Sequence, residues 1–368
     1  MTTVFSNRLA QARAATAAAG IDALLITPGS DLRYLTGYAA LPLERLTCLV
    51  LPAEGPPCLV VPALEKPAAE ASAAGELALE ILPWQESEDP VRMVAAMLPA
   101  ARSVGLDDHM WAEKVLRFRA AMPDAEQRLA GAVLSELRIR KDEAEINALR
   151  EAAGAIDRVH ARVPDWLKVG RTEAEVGRDI ADAIIAEGHV RIDFVIVASG
   201  PNGASPHHET SGRRIEAGDA VVVDIGGTTA AGYCSDETRT YVVGHSPAGF
   251  AAEYEILRRA QQAAVAHVRP GVTAESVDAA ARSILAEAGL GEYFIHRTGH
   301  GIGMESHEEP YIADGNARSL EPGMAFSIEP GFYRPGVYGA RIEDIVIVTD
   351  DGVESLNKRP RELVVVDG

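Results

Sequence analysis

Residues 221–243 read VVVDIGGTTAAGYCSDETRTYVV and predict two strands joined by a short loop. The first strand is an apolar run that reaches Asp224, and the second begins near Asp236. The glycine-flanked stretch 226–232 between them is typical of a hairpin loop. An Asp beside two glycines is most often a turn residue, so neither carboxylate predicts a functional site by itself.

Three further segments of the C-terminal third add polar side chains at positions where the sequence predicts strands or tight turns. They are HRTGHGIGMESHEEP (296–310), GMAFSIEPGFY (323–333) and GARIEDIVIV (339–348). Glu329 and Glu343, like Asp224, lie where the sequence predicts buried strands. These strands contain too few Lys or Arg residues to form an ion pair with each carboxylate. A buried carboxylate without a partner is costly, so a metal cluster is the simplest explanation.

Four carboxylates and one imidazole suit two hard or borderline divalent cations such as Mn²⁺, Zn²⁺ or Co²⁺. The predicted set is Asp224, Asp236, His300, Glu329 and Glu343. Crowded carboxylates repel one another unless cations balance their charge. Metal ions can also activate a water molecule, which permits amide hydrolysis without a Ser or Cys nucleophile. The sequence therefore predicts a hydrolase.

The chain resembles the pita-bread metallopeptidases, which include Xaa-Pro aminopeptidases (aminopeptidase P), Xaa-Pro dipeptidases (prolidases) and methionine aminopeptidases. The resemblance extends over essentially the whole chain and includes DLRYLTGY (31–38) and SGPNGASPHH (199–208) besides the segments quoted above. It implies an α/β creatinase-like N-terminal domain, residues 1–131. It also implies an α+β pita-bread catalytic domain with pseudo-twofold symmetry, residues 132–368.

The resemblance also implies roles for individual residues. The five residues named above become ligands of two divalent ions, which Asp236 and Glu343 bridge, while Glu329 also passes a proton from water to the leaving nitrogen. His207 and His307 become substrate-contacting residues, which donate hydrogen bonds to the carbonyl oxygen and the substrate backbone. Two weaker candidates are His208, expected to be exposed, and His296, expected at a pocket wall. Arg341 is expected beside the carboxylates, and an ion pair with Asp236 or Glu343 is the simpler alternative.

One departure from the family concerns the spacing of the first two ligands. Asp224 and Asp236 are twelve positions apart, one more than is usual in the relatives. We expect the loop 226–232 to absorb the additional residue as a bulge.

Substrate preference follows from the resemblance and not from the residues. The amide of an Xaa-Pro bond has no N–H, so peptidases that bind this hydrogen fail to cleave it. Cleavage therefore needs a pocket shaped for proline. The large N-terminal half disfavours a methionine aminopeptidase, and the five ligands disfavour creatinase, a metal-free relative. An Xaa-Pro dipeptidase is the first hypothesis; the alternatives are an aminopeptidase P acting on longer peptides and a non-catalytic binding protein of the same fold. Asp31 and Arg45 lie in or near predicted loops. Arg45 either binds the free carboxylate of a dipeptide or pairs with Glu44.

Length and composition agree with a two-domain enzyme. The chain has 368 residues, of which 47% are hydrophobic, and a net charge of −19, which disfavours nucleic acid and anionic membranes as partners. Cys48, Cys58 and Cys234 show no metal-binding spacing and suit a reducing compartment. The first twenty residues lack a signal-peptide pattern, so we expect a cytoplasmic protein. The resemblance implies a homodimer.

Alternating helical and strand signals predict the order of elements. The N-terminal half starts with a helix capped by Ser6, followed by five strands and three further helices. In the C-terminal half, helices near 142–168 and 172–187 precede strands near 192–197, 219–225 and 233–243. Helices near 248–268 and 274–288 then precede strands near 324–329 and 338–348. Thr172 and Glu175 predict a capping box.

Overall fold

The computed structural model describes residues 2–367, which divide into two compact units between Arg138 and Ile139. Each unit has its own sheets and its own buried apolar core. The division of the chain after residue 131 remains a prediction. Within residues 2–367, no helix has the length and apolar character needed to cross a membrane.

The N-terminal unit is an α/β domain built on one mixed sheet. Its elements are α1 Thr2–Ala18, β1 Ala23–Ile26, α2 Ser30–Thr36, β2 Cys48–Pro52, β3 Cys58–Pro62, α3 Lys66–Ala71, β4 Glu80–Trp84, α4 Pro90–Met97, β5 Ser103–Leu106, α5 Ala112–Ala121, β6 Glu126–Leu129 and α6 Gly131–Arg138. The strand order is β4-β3-β2-β1-β5-β6. β1 pairs parallel with β5 and antiparallel with β2, and every residue of β1 is buried, as expected for a central strand.

The sequence predicted most of these elements, with two differences that affect candidate residues. Helix α1 begins at Thr2, so Ser6 lies inside the helix and does not cap it. Asp31, which was expected in or near a loop, lies in the first turn of α2, where Arg138 Nη1 donates to its Oδ1 at 2.7 Å. The carboxylate of Asp31 is therefore part of a largely buried ion pair within this unit.

The C-terminal unit contains two pairs of helices, each followed by strands. The first repeat consists of α7 Glu143–Trp166, α8 Glu173–Ala186, β7 His189–Ser199, β8 Ala220–Thr229 and β9 Cys234–Val243. The second consists of α9 Phe250–His267, α10 Ala274–Glu287, β10 Gly299–Gly301, β11 Glu308–Ile312, β12 Ala325–Ile328, β13 Gly331–Arg334, β14 Tyr338–Arg341, β15 Asp344–Val348, β16 Val353–Ser355 and β17 Val364–Val366. This is the repeated arrangement that the sequence predicts.

The strands of the C-terminal unit form three sheets. Their orders are β17-β9-β8-β7, β11-β10-β12-β15-β16 and β13-β14. Helices α9 and α10 contribute buried apolar residues to the same core cluster as β12 and β15, while α7 and α8 pack in a second cluster with β7, β8 and β9. The predicted capping box at the start of α8 is confirmed, because Thr172 and Glu175 exchange side-chain and backbone hydrogen bonds.

The hairpin of β8 and β9 differs from the expectation in its loop. Residues 226–229 belong to β8, so the turn is confined to residues 230–233. Pairing between the two strands keeps one register from Ala220 opposite Val242 to Thr228 opposite Cys234. The additional residue therefore causes no bulge between β8 and β9, and the register shifts occur instead between β7 and β8.

The predicted strand at 338–348 is divided in two. β14 ends at Arg341, β15 begins at Asp344, and the two strands belong to different sheets. Glu343 thus lies in the two-residue break and not inside a strand. Its backbone N–H donates to the carbonyl oxygen of Thr238 on β9 at 3.1 Å, which attaches the break to the neighbouring sheet.

Candidate metal centre

Three of the predicted ligands form a buried group that is able to hold a metal ion. Asp236, His300 and Glu343 each offer one ligand atom, and these atoms lie within 4.8 Å of one another. Asp236 comes from β9, His300 from β10 and Glu343 from the break after β14. All three residues are buried.

The other two predicted ligands line the same cavity. Glu329 follows β12, and its Oε1 lies 3.3 Å from His300 Nε2, which also lies 3.6 Å from Asp236 Oδ2. Asp224 is a buried residue of β8. A cavity of about 790 Å³ is lined by all five predicted ligands and by His207, His307 and Arg341. The structure thus brings together every site residue predicted from the C-terminal half.

Hydrogen bonds hold the ligand atoms in place. His300 Nδ1 lies 3.1 Å from the carbonyl oxygen of Gly301, so Nε2 faces the carboxylates. Ser327 accepts from the backbone N–H of His300 at 3.0 Å and donates to Glu329 Oε1 at 3.1 Å. Thr238 donates to Glu343 Oε2 at 2.7 Å. Such contacts to ligand side chains are typical of metal sites.

Burial and mutual repulsion raise the pKa of the clustered carboxyl groups. Burial is the main cause for Asp236, whose pKa is well above its usual value, and the charges of Glu343 and Asp224 add to it. Burial likewise raises the pKa of Glu343, with contributions from Glu329 and Asp224. For Glu329, burial raises the pKa to about 7 although Arg341 opposes the shift. Burial lowers the pKa of His300 to about 3, so its imidazole is neutral at pH 7.

This arrangement fits divalent cations. Asp224 Oδ1 is buried and accepts no hydrogen bond among the described residues, so it has a free lone pair. A neutral imidazole and carboxylates are ligands suited to Mn²⁺, Zn²⁺ or Co²⁺. Positive charge inside the cluster would stabilise the ionised carboxylates, which are disfavoured without it.

Arg341 lies beside the carboxylates, but its partner differs from the expected one. Its Nη2 donates to Asp224 Oδ2, whereas an ion pair with Asp236 or Glu343 was considered from the sequence. The remaining donors of the guanidinium reach Thr238 Oγ1 at 3.1 Å and Tyr333 Oη at 2.8 Å. Arg341 therefore fixes Asp224 and connects it to Thr238, which in turn contacts Glu343.

His207 and His307 lie at the cavity wall. The ring centroids of His307 and His300 are 3.8 Å apart, and burial, with a further contribution from Arg297, lowers the pKa of His307. His207 is exposed in the loop that follows β7. His296, a weaker candidate in the sequence, also lines the cavity, and its Nε2 lies 2.9 Å from Tyr333 Oη.

The loop that carries His207 is held by a buried carboxylate that the sequence analysis missed. Glu173, in the first turn of α8, is fully buried and accepts hydrogen bonds from five groups of the loop. The donors are Ser199 N and Oγ (2.8 and 2.7 Å), Asn202 Nδ2 (3.0 Å) and Ser211 N and Oγ (3.1 and 2.6 Å). His208 Nε2, which was expected to be exposed, lies 2.9 Å from Glu173 Oε2. Although burial opposes it, this hydrogen bonding lowers the pKa of Glu173 to about 2.

Arg45 belongs to the N-terminal unit. Its guanidinium is exposed and donates to Glu44 at 2.7 Å and to Glu86 at 2.6 Å. This pairing with Glu44 is the alternative that the sequence left open. A role for Arg45 in substrate binding remains a prediction.

Comparison with known families supplies the decisive observation. Residues 147–350 match the model of metallopeptidase family M24, and residues 8–140 match that of the creatinase/prolidase N-terminal domain. The chain belongs to metallopeptidase family M24. It is therefore a metal-dependent peptidase that uses divalent cations, as its residues predict.

Individual relatives align with this chain over nearly the full length of both proteins. The probable dipeptidase PepE of Mycobacterium tuberculosis is 57% identical over 364 residues, which are 99% of this chain and 97% of that protein. An Xaa-Pro dipeptidase of Lactobacillus delbrueckii subsp. lactis is 36% identical over 358 residues, 94% of this chain and 95% of the relative. The crystal structure of a prolidase from Thermococcus sibiricus superimposes with a TM-score of 0.93 at 40% identity and covers 98% of this chain and 99% of that one.

These findings confirm two predictions made from the sequence. The fold is a creatinase-like N-terminal domain followed by a pita-bread catalytic domain, and the chain is an enzyme of the peptidase class. A non-catalytic binding protein is no longer a competing hypothesis.

Proposed function

We propose that this metallopeptidase is an Xaa-Pro dipeptidase whose site holds two divalent ions, with Mn²⁺ as the first choice and Zn²⁺ or Co²⁺ as alternatives. The observation that carries the proposal is the convergence of Asp236, His300 and Glu343 within one buried group. Glu329 and Asp224 complete a donor set of four carboxylates and one imidazole that would hold the ions. Ions bound there supply the charge that makes water nucleophilic near neutral pH and polarises a carbonyl group.

Glu329 is the proposed proton carrier. Burial raises its pKa to about 7 in the metal-free protein, and cations bound beside it would stabilise the ionised carboxylate, which could then accept a proton from water and release it to a leaving nitrogen. Ser327 holds one carboxylate oxygen by a hydrogen bond of 3.1 Å. This hydrogen bond restricts the orientation of the carboxylate.

His207 and His307 are the proposed contacts to the substrate. Both line the cavity that contains the carboxylates, and both are exposed to it. Imidazole N–H groups at the wall can donate to the carbonyl oxygen as it gains negative charge and to the substrate backbone. Arg341 is proposed to support catalysis by holding Asp224 in its orientation.

Apolar side chains in the cavity lining support the preference for proline. Phe194, Ile196 and Ile295 line the cavity together with the polar groups. A pyrrolidine ring can bury its methylene groups against such side chains, and it requires no amide N–H acceptor. The names of the relatives, dipeptidase and Xaa-Pro dipeptidase, support the same substrate class.

A single assay tests the proposal. Purified protein is loaded with Mn²⁺, Zn²⁺ or Co²⁺ and offered a series of Xaa-Pro dipeptides beside the matching Xaa-Pro-Xaa tripeptides. Release of the first residue from the dipeptides, with little from the tripeptides, is the expected result. Cleavage of the tripeptides alone would support an aminopeptidase P, and cleavage of neither would contradict Xaa-Pro specificity.

Two further parts of the proposal concern the protein in the cell. We place it in the cytoplasm, where its three unpaired cysteines would remain reduced, and we propose a homodimer. Cell fractionation tests the location, and light scattering coupled to size-exclusion chromatography measures the mass of the assembly against 39.1 kDa for one chain.

A further inference from the structure

Arg239 is a buried arginine of β9 that lies outside the cavity with the predicted metal ligands. It follows Asp236 by three residues. Because side chains alternate along a strand, Arg239 projects from the face of β9 opposite to that of Asp236 and Thr238. Any effect of Arg239 on the metal centre must therefore pass through other residues.

The guanidinium of Arg239 makes five hydrogen bonds, as many as it has N–H groups. Nη1 donates to the carbonyl oxygens of Glu343 and Thr238 at 2.6 and 2.9 Å. Nη2 donates to Asp344 Oδ1 at 2.8 Å and to the carbonyl oxygen of Arg359 at 2.9 Å, and Nε donates to the carbonyl oxygen of Pro360 at 3.0 Å. A buried cation with this many acceptors holds them in one geometry.

Two of these contacts act on the break between β14 and β15, which carries Glu343. The backbone N–H of Glu343 donates to the carbonyl oxygen of Thr238, and its own carbonyl oxygen accepts from Arg239, so both polar groups of its backbone are attached to β9 or its side chains. The carboxylate of the next residue, Asp344, is fully buried between Arg239 on Oδ1 and the donors of Gln261 and Arg361 on Oδ2.

Arg239 thereby connects the two repeats of the C-terminal unit. β9 belongs to the first repeat and supplies Asp236, whereas the break belongs to the second repeat and supplies Glu343. Ligand atoms of these two residues lie within 4.8 Å of each other and of His300. Contacts outside the ligand set that fix such atoms affect metal affinity by roughly 10- to 100-fold.

We propose that Arg239 is a positioning residue that holds the backbone of Glu343 against β9 and thereby sets the affinity of the site for divalent cations. This inference rests on the metal centre proposed above. Arg239 contacts neither the cavity nor a ligand side chain among residues 2–367, so its effect passes through the peptide groups on both sides of Glu343.

Metal binding by variants of the full-length protein tests this role. For folded Arg239→Met, calorimetric titration should show a Kd for Mn²⁺ that is about tenfold higher or more. At saturating Mn²⁺, kcat for an Xaa-Pro dipeptide should fall about tenfold while KM changes little, because no substrate contact is removed. Arg239→Lys should raise Kd less, since the ammonium keeps the charge beside Asp344 but cannot reach all five acceptors.

The matched control is Arg361→Met. Arg361 donates to the same carboxylate, at Asp344 Oδ2, and has no hydrogen bond to Glu343 among the described residues. Its replacement should lower the melting temperature but leave Kd for Mn²⁺ and kcat unchanged. Circular dichroism and melting temperature are measured for every variant, so that only folded protein enters the comparison.

The outcomes separate this inference from the proposals on which it rests. If folded Arg239→Met binds Mn²⁺ with the wild-type Kd, or if Arg361→Met raises Kd equally, Arg239 does not position Glu343. If neither Arg239 variant folds, Arg239 serves the whole fold and the inference is wrong. If the wild-type protein binds Mn²⁺ but cleaves no Xaa-Pro dipeptide, only the substrate is wrong, and Kd still tests Arg239. If the wild-type protein binds no divalent ion, the metal centre and the role of Arg239 are both wrong.

Discussion

At the scale of single residues, the site depends on carboxyl groups that are hard to ionise without cations. Burial raises the pKa of Asp236 and Glu343 well above the usual value and that of Glu329 to about 7. Cations bound among these groups would stabilise the ionised carboxylates, so that Glu329 could accept a proton from water.

Replacement of Glu329 tests its role as the proton carrier. We expect Glu329→Gln to lower kcat about 100-fold or more, because the amide cannot accept a proton. Metal content is measured on the same preparation, since the amide oxygen can still serve as a ligand. Wild-type turnover at an unchanged metal content would exclude Glu329 as the proton carrier.

Residues that bear the chemistry were easier to predict than those that support them. Asp224, Asp236, His300, Glu329 and Glu343 lie in long motifs, so their grouping could be proposed from sequence. Thr238 and Tyr333 were missed, since their role depends on side chains that meet only after folding. The position of Thr238 could have been predicted, because it lies two residues after Asp236 and therefore on the same face of β9.

At the scale of elements, the loop between β7 and β8 is fixed by Glu173 of α8. The carboxylate accepts hydrogen bonds from Ser199, Asn202 and Ser211, which lie on both sides of His207 along the chain. A buried carboxylate with this many donors stabilises one conformation of the loop. Glu173 is thus a positioning residue for His207.

Glu173→Gln tests that role. The amide group would face donors that it cannot satisfy, so we expect a loss of about 1–3 kcal/mol of stability. We also expect kcat/KM to fall about tenfold through displacement of His207, with metal content unchanged. The control is Glu175→Gln in the same helix, where glutamine can keep the capping hydrogen bonds, and it should leave kcat/KM and metal content unchanged. Equal kinetic effects of the two variants would contradict the proposal.

Element boundaries show where sequence patterns are insufficient. The run from Ile342 to Val348 looked continuous, yet Arg341 ends β14 and Asp344 begins β15. The break allows Glu343 to turn toward Asp236 and His300, a tertiary requirement that local propensity does not reveal. β6, with the polar sequence EQRL, was missed because it is an exposed edge strand without apolar alternation.

At the scale of the whole molecule, the clustered carboxyl groups link stability to pH and to metal. A carboxyl group whose pKa is raised by folding contributes stability below its unfolded pKa, and this contribution is lost as pH rises through the folded value. For Glu329 the loss extends from about pH 4.5 to about pH 7. The free energy of unfolding of the metal-free protein should therefore decrease as pH rises through this range, because the clustered carboxyl groups must ionise.

Thermal unfolding measured with and without Mn²⁺ checks this linkage. We expect the gain in melting temperature on adding Mn²⁺ to be larger at about pH 8 than at about pH 6, because protons compete with the metal at the lower pH. Glu329→Gln, which removes one titrating group, should reduce the difference between the two pH values. An equal gain at both pH values would contradict the linkage.

The number of divalent ions bound per chain tests the metal centre most directly. After saturation with Mn²⁺ and removal of the excess, the wild-type protein should retain two ions per chain, and Asp236→Asn should lose at least one of them together with peptidase activity. Asp193→Asn, which changes an acid of β7 that is hydrogen-bonded to Thr228, should retain both. A wild-type protein that binds no ion, or an Asp236→Asn protein with two ions and full activity, would contradict the account.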